Sequence, residues 1–134
     1  MGLYDAIMLK DNHLAAWADA QQTLSAATAT TRAFVKQHQH SIQFLQVEVD
    51  NLDQFEVILI DAPDIVLLDN MPPATLRKAV ALRDQQAPHV LLEASGGINL
   101  QTVRAVAESG VDRISIGALT HSVRALDFGF DWPA

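Results

Sequence analysis

The stretch VLLEASGGINLQTVRAVAESGVDRISIG, Val90 to Gly117, decides the fold. It opens on an apolar run of strand length, Val90 to Ala94, and passes through two consecutive glycines. It continues as NLQTVRAVAESG with helical spacing and ends on a second short run, Arg113 to Gly117. Asn99 is suited to cap the intervening helix, because its side chain accepts from the free amides of a first turn. Gly110 is suited to end it, because glycine tolerates the left-handed residue that closes a last turn. Strand, turn, helix and strand in that order make the repeating unit of a parallel sheet with right-handed crossovers.

The unit recurs outward from there. Ala6 to Leu9, Phe44 to Val49 and Ile65 to Leu68 are further apolar runs of strand length. Between them, PPATLRKAVALRDQQ places Pro72-Pro73 in a first helical turn, with Leu76, Val80 and Leu82-Arg83 at helical spacing. The alanine-rich segment from Ala15 to Gln37 sets Leu24, Ala27 and Phe34 on roughly one helix face. The expectation is an α/β chain, residues 1–134 as a single domain, with about five β/α units. Its short connections and the absence of a Gly-rich dinucleotide fingerprint favour a barrel segment over a doubly wound sheet. Five strands do not close an eight-stranded barrel, so the expected architecture is part of an incomplete TIM-like barrel.

Composition narrows the function. The 134 residues are 49% hydrophobic with net charge −7, which suits a globular domain with a core of its own. The nine Lys and Arg do not cluster, which argues against nucleic acid, whose phosphates call for clustered cations. The absence of cysteine excludes disulfides, thiolate catalysis and sulfur-ligated zinc. No apolar window has the length of a membrane span and the N-terminus lacks the layout of a secretion signal, so a cytoplasmic location is expected.

The strand ends carry the chemistry. Lys10 follows the first run, Glu48 lies near the end of the second, Asp69 ends the third, Ser95 the fourth and Gly117 the fifth. In parallel β/α folds ligands sit at these carboxyl ends, so the five residues belong to one rim. Period-two alternation puts Phe44, Gln46 and Glu48 on one face and links Glu93 with Ser95, which are charges an ordinary core rejects. Each has a plainer reading: Lys10 reaching into solvent, Asp69 starting a turn, Ser95-Gly96-Gly97 making a tight turn. Together they fit a phosphate site. Gly96-Gly97 let phosphate oxygens approach free backbone amides with a helix start behind them, and Gly117 repeats the device with Thr120 and His121 as further donors. Glu48 and Asp69 then suit a Mg²⁺ carried by phosphates, or sugar hydroxyls. His38 and His40 are expected as exposed turn residues, and His13 as a loop-orienting hydrogen-bond partner. Phe128, Phe130 and Trp132 are expected to pack on the core or on a partner surface.

At KDNHL, EVDN, LLDNM, EASGGI and GVDRISIGALTHS the chain resembles the quinolinate phosphoribosyltransferases of NAD synthesis, and the resemblance runs nearly end to end. That family joins an N-terminal α/β sandwich domain to an incomplete β/α barrel and works as dimers. The resemblance implies that this chain is the later part of the barrel, with the N-terminal domain and first strands lacking and Met1 at an internal position. It implies transfer of phosphoribose from phosphoribosyl pyrophosphate to quinolinate, with loss of pyrophosphate and CO₂. It implies Lys10 as a ligand-contacting lysine, and Glu48 and Asp69 as carboxylates near ribose and Mg²⁺. Ser95, Gly96 and Gly97, then Ile116, Gly117 and Ala118, become phosphate loops, with His121 assisting. A non-catalytic sugar-phosphate-binding or assembly fragment, and a related transferase with another acceptor, are the alternatives.

Overall fold

A computed structural model describes residues 5–10, 12–13, 24–38, 41–122 and 125–130. The start of the expected helix at Ala15, His40 and Trp132 lie outside the described residues. Five strands, β1 (Ala6–Leu9), β2 (Phe44–Val49), β3 (Ile65–Asp69), β4 (Leu91–Ser95) and β5 (Arg113–Ile114), pair in parallel and in sequence order. The helices are α1 (Leu24–Gln37), α2 (Leu52–Leu59), α3 (Pro73–Gln86), α4 (Val103–Ala107) and α5 (Ala118–His121). An order without reversal is singly wound. Right-handed crossovers then keep every helix on one face, and α1 packs on α2, α2 on α3 and α3 on α4 as a single outer layer. This is the arrangement of adjacent staves in a β/α barrel and not of a doubly wound sheet, whose order must reverse.

Alternation sorts the strands into two faces. Leu45, Val47, Val49, Val66, Leu68, Leu92 and Ala94 are at most 1% exposed and meet Phe55, Ile58, Leu76 and Ala79 from the helices. The opposite face carries Gln46, Glu48, Leu67, Glu93 and Arg113. It is concave, because the Gln46 side chain of β2 reaches across β3 to donate to Glu93 of β4 at 3.1 Å. Strands two apart in a flat sheet stand about 10 Å from each other, and curvature closes that gap.

The amino ends of the strands are clasped by a repeated device. Asp64, before β3, donates its N–H to Leu45 O at 3.0 Å and accepts from Leu45 N at 2.8 Å through its carboxylate. Asp112, before β5, does the same to Leu92 at 2.9 and 2.8 Å. Asp112 also receives the Arg83 guanidinium at 2.7 Å, and Arg83 donates to Val90 O at 2.8 Å and to Asp84 at 2.7 Å. Burial works against the Arg83 charge, but its hydrogen bonds and charge pairing with the two aspartates outweigh it and raise its pKa. Burial likewise pushes Asp112 up, and the Leu92 amide and Arg83 outweigh that to hold it below the ordinary value.

Several expectations need correction. The strand expected over Arg113 to Gly117 covers only Arg113–Ile114. The regular helix α4 starts only at Val103; Asn99 caps the turn that leads into it, accepting from Gln101 N and Thr102 N through its side chain and from Val103 N through its carbonyl. The buried stripe of α1 is Ala27, Thr28, Thr31 and Val35, which leaves Phe34 half-exposed and stacked on His38 at 4.1 Å. Leu52–Leu59 was not anticipated as a helix; Asn51 caps it by accepting from Gln54 N at 2.9 Å. Phe128 and Phe130 are 86% and 100% exposed, so they do not pack on the core.

Asp112→Ala leaves the Arg83 guanidinium, of which 8% is exposed, with only Asp84 and Val90 O as partners, and is expected to lower stability by about 2 kcal/mol in urea unfolding at pH 7. Because its folded pKa is depressed, the Asp112 contribution is complete above the ordinary 3.8 and is lost as pH falls through the lower folded value. Asp112→Asn should therefore show a shallower decline in stability below about pH 4 than the parent chain.

Candidate functional site

Parallel strands end together, so the residues at their carboxyl ends meet. Lys10 follows β1 on the concave side, and its ammonium lies 3.1 Å from Glu48 Oε2. Glu48 is 12% exposed and Lys10 47%. The partner that a carboxylate between two valines demands is thus the lysine of the neighbouring strand. His13 holds the turn after β1, accepting from Lys10 N at 3.1 Å. Asp69, at the end of β3, accepts from the Asn70 amide at 2.6 Å, and Asn70 N donates to Ser95 O at 2.9 Å, which ties the end of β3 to that of β4. Asn70 takes a positive φ of 52° to do so.

The two glycines have different reasons. A Cβ on Gly96 would lie 2.2 Å from Asn70 Oδ1 and 2.8 Å from Asn70 N, so Gly96 makes room for Asn70. A Cβ on Gly97 would meet nothing within 4 Å, so the space beside it is open. Both glycines have φ in the left-handed region, 89° and 61°. The close approach that the sequence assigned to a ligand at both positions is, at Gly96, an approach of the chain to itself.

A cleft of about 380 Å³ lies between the β4 and β5 loops, lined by Ser95, Gly96, Gly97, Ser115, Gly117 and His121 among others. Among the described residues no hydrogen bond takes up the N–H groups of Gly96, Gly97, Ile98, Ile116, Gly117 or Ala118. Such clustered amides make an anion-binding concavity. The expected helix starts contribute less, since α4 begins beyond a further turn and α5 has four residues. His121 stands over Gly117, where an added Cβ would come 2.9 Å from Nε2, and its Nδ1 lies 2.9 Å from Ser122 Oγ. Lys10, Glu48 and Asp69 do not line this cleft; they stand on β1 to β3, along the same rim.

One layer lower, Glu93 receives the Gln46 amide on one oxygen and the Ser115 hydroxyl, at 2.5 Å, on the other. Parity pointed to Glu93 on this face, but Gln46 and Ser115 as its partners were not legible, since nothing local links residues on β2 and β5. No group of three or more His, Cys, Asp or Glu among the described residues could hold a metal ion, and Glu48 is already engaged by Lys10. The donor set therefore does not fit a resident metal site.

Residues 1–131 match the family model described as quinolinate phosphoribosyl transferase, C-terminal domain. The chain is 42% identical over 131 residues to the nicotinate-nucleotide pyrophosphorylase [carboxylating] of Mycobacterium leprae, covering 98% of this chain and 43% of that protein. A probable enzyme of the same name from Bacillus subtilis is 35% identical, over 97% of this chain and 41% of its own length. Among solved structures, the nicotinate-nucleotide pyrophosphorylase from Francisella tularensis superposes with TM-score 0.75 at 32% identity, over 94% of this chain and 41% of that one. NadC from Streptococcus pyogenes gives 0.73 at 35%, over 96% and 41%. The chain thus spans about two-fifths of the length of the relatives it matches. With nearly all of its residues matched by the model, in the strand order and loop arrangement described, the chain belongs to the quinolinate phosphoribosyltransferase C-terminal domain family.

Proposed function

We propose that this chain supplies the phosphoribose half of a site that transfers phosphoribose from phosphoribosyl pyrophosphate to quinolinate. The pyridine nitrogen attacks C1, and the C1–O bond to pyrophosphate breaks with its electron pair leaving on pyrophosphate. CO₂ then departs from the carboxylate beside the nitrogen, its bonding pair staying on that ring carbon, which takes a proton from solvent to give nicotinate mononucleotide. The observation that carries this reading is the cleft of about 380 Å³ whose two glycine loops present uncommitted amides, beside a rim of one cation and two carboxylates.

Ser95, Gly96, Gly97, Ile116, Gly117 and Ala118 hold the phosphate by backbone N–H groups, and His121 adds a donor at its edge. Amides suit this task because they bind an anion without bringing a counter-charge that must be desolvated. Glu48 and Asp69 face the ribose, where they accept from its hydroxyls and through them stabilise the ring as positive charge develops. Lys10 spans Glu48 and the leaving pyrophosphate. Mg²⁺ belongs to the substrate: it arrives on pyrophosphate oxygens, which suits a cation that keeps most of its own water shell. No described helix is long and apolar enough to cross a membrane. We place the protein in the cytoplasm as a homodimer or higher oligomer, a reading that the exposed Phe128 and Phe130 support.

Calorimetric titration of the chain with Mg²⁺ and phosphoribosyl pyrophosphate should give saturable binding, with quinolinate titrated separately to test the acceptor half. A flat first titration sinks the phosphoribose assignment. Ser95→Leu, which fills the cleft from the end of β4, should weaken that binding at least about tenfold while leaving the urea midpoint in place.

The two glycines separate in a second experiment. Gly96→Ala drives a Cβ into Asn70 and should destabilise the chain by more than the roughly 1–2 kcal/mol of a left-handed alanine alone. Gly97→Ala should incur only that conformational cost, whereas Gly97→Val should also weaken the phosphate ligand. Equal stability losses for the two alanine variants would contradict the assignment of Gly96 to Asn70.

A further inference from the structure

Among the described residues the concave face holds three carboxylates, and they differ in how their charge is met. Glu48 lies 3.1 Å from the Lys10 ammonium, so the pair is nearly neutral at a distance. Asp69 accepts from the neutral Asn70 amide. Glu93 is held on both oxygens by neutral donors, Gln46 Nε2 and Ser115 Oγ. Arg113 is its register neighbour on β5, but no ion pair within 4 Å joins the two among the described residues. Neutral donors orient a carboxylate without cancelling it. Glu93 is half-buried, so water screens its charge less than at an exposed position.

The strand register places this charge. Glu48, Leu67 and Glu93 are Cα partners across β2, β3 and β4, one row below Asp69 and Ser95. Glu93 thus stands level with Glu48, under the cleft, with Ser115 joining it to the cleft wall. A carboxylate that retains its charge opposes a bound anion and favours a cation. Placed beneath an anion cleft, it suits a ligand that is anionic at one end and positively charged one residue layer away.

Resting on the phosphoribosyl-transfer reading, we infer that Glu93, fixed by Gln46 and Ser115, is the carboxylate whose charge faces the positive charge developing on the ribose ring. Glu48 in this arrangement chiefly positions Lys10 and sugar hydroxyls. The charge on Glu93 supplies electrostatic stabilisation without proton transfer. The two orienting donors keep it in place before the reaction begins, so little reorganisation accompanies the transition state.

The test compares ribose 5-phosphate with an iminoribitol 5-phosphate, whose ring nitrogen is protonated at neutral pH, by titrating the whole chain without divalent cations. The parent chain should prefer the cationic probe by about tenfold, the scale of one partly screened charge pair. Glu93→Gln should abolish the preference by a loss confined to the cationic probe, while ribose 5-phosphate affinity holds or rises because the opposing charge is gone. This replacement can keep the network, because Gln46 and Ser115 can each turn to accept. Glu93→Asp, which retains the charge but draws it back, should keep part of the preference and so separates charge from mere shape. Should Glu93→Gln fail to fold, the parent and Asp comparison still decides. Equal losses for both probes, a preference that survives Glu93→Gln, or an Asp variant with no preference would overturn the inference. So would a parent chain that binds both probes alike. Failure of the parent to bind ribose 5-phosphate at all would remove the phosphoribosyl-transfer reading and this inference together. Titration with Mg²⁺ alone completes the set: loss of Mg²⁺ binding in Glu93→Gln would make Glu93 a metal contact and overturn the ring-charge role.

Discussion

The ion pair between the buried Arg83 and the partly exposed Asp112 governs how the last two strands meet. Asp112 takes Leu92 N with the same oxygen that receives Arg83, and its own N–H goes to Leu92 O, so β5 enters the sheet in one register. That register sets Ser115 beside Glu93 and brings the Gly117 loop across from Gly96-Gly97. A one-residue slip would turn Ser115 away from the concave face and Ile114 into it. The partners of this pair lie at the amino ends of the strands, yet what they position is the cleft at the other end. A short strand such as β5 has too few ladder bonds to fix its own register, and the charged clasp makes up the difference.

The strands and their parity were legible because apolar runs of strand length and period-two alternation are local properties. Lys10, Glu48, Asp69 and Ser95 could therefore be assigned to one rim before any contact was known. The Leu52–Leu59 helix was not legible, since VILI at Val57 to Ile60 is β-branched and apolar and imitates a strand. What identifies the helix is Asn51 capping Gln54, together with Phe55, Ile58 and Leu59 falling on one buried face. The buried arginine of α3 was equally hidden, because its partner lies in the loop before β5.

Gly96 shows a different limit. A glycine pair after a strand signals that something approaches the backbone closely, but sequence does not say what. At Gly96 the approaching group is Asn70, itself held at positive φ and bonded to Ser95 O and Asp69. Gly96 thus belongs to the seam between β3 and β4 on its Cβ side, and of the pair only Gly97 has open space where a Cβ would stand. The seam matters for function because it fixes Asp69 relative to the β4 loop, so a carboxylate and a set of amides are held in one rigid piece.

A chain with net charge −7 is an unpromising anion binder, and the arrangement of the concave face resolves the difficulty. Attraction at the rim comes from backbone amides and not from a basic patch, so it is short-ranged and does not depend on the overall charge. The carboxylates sit one layer lower or toward the β1 side, where Lys10 neutralises Glu48. Donors above and retained negative charge below create a polarity gradient along the strand axis, over roughly the 7 Å of two strand residues. A sugar phosphate fits such a gradient with its phosphate at the rim and its ring beneath. Any gain in positive charge on that ring then strengthens its hold, which is the sense in which a site favours a transition state over its ground state.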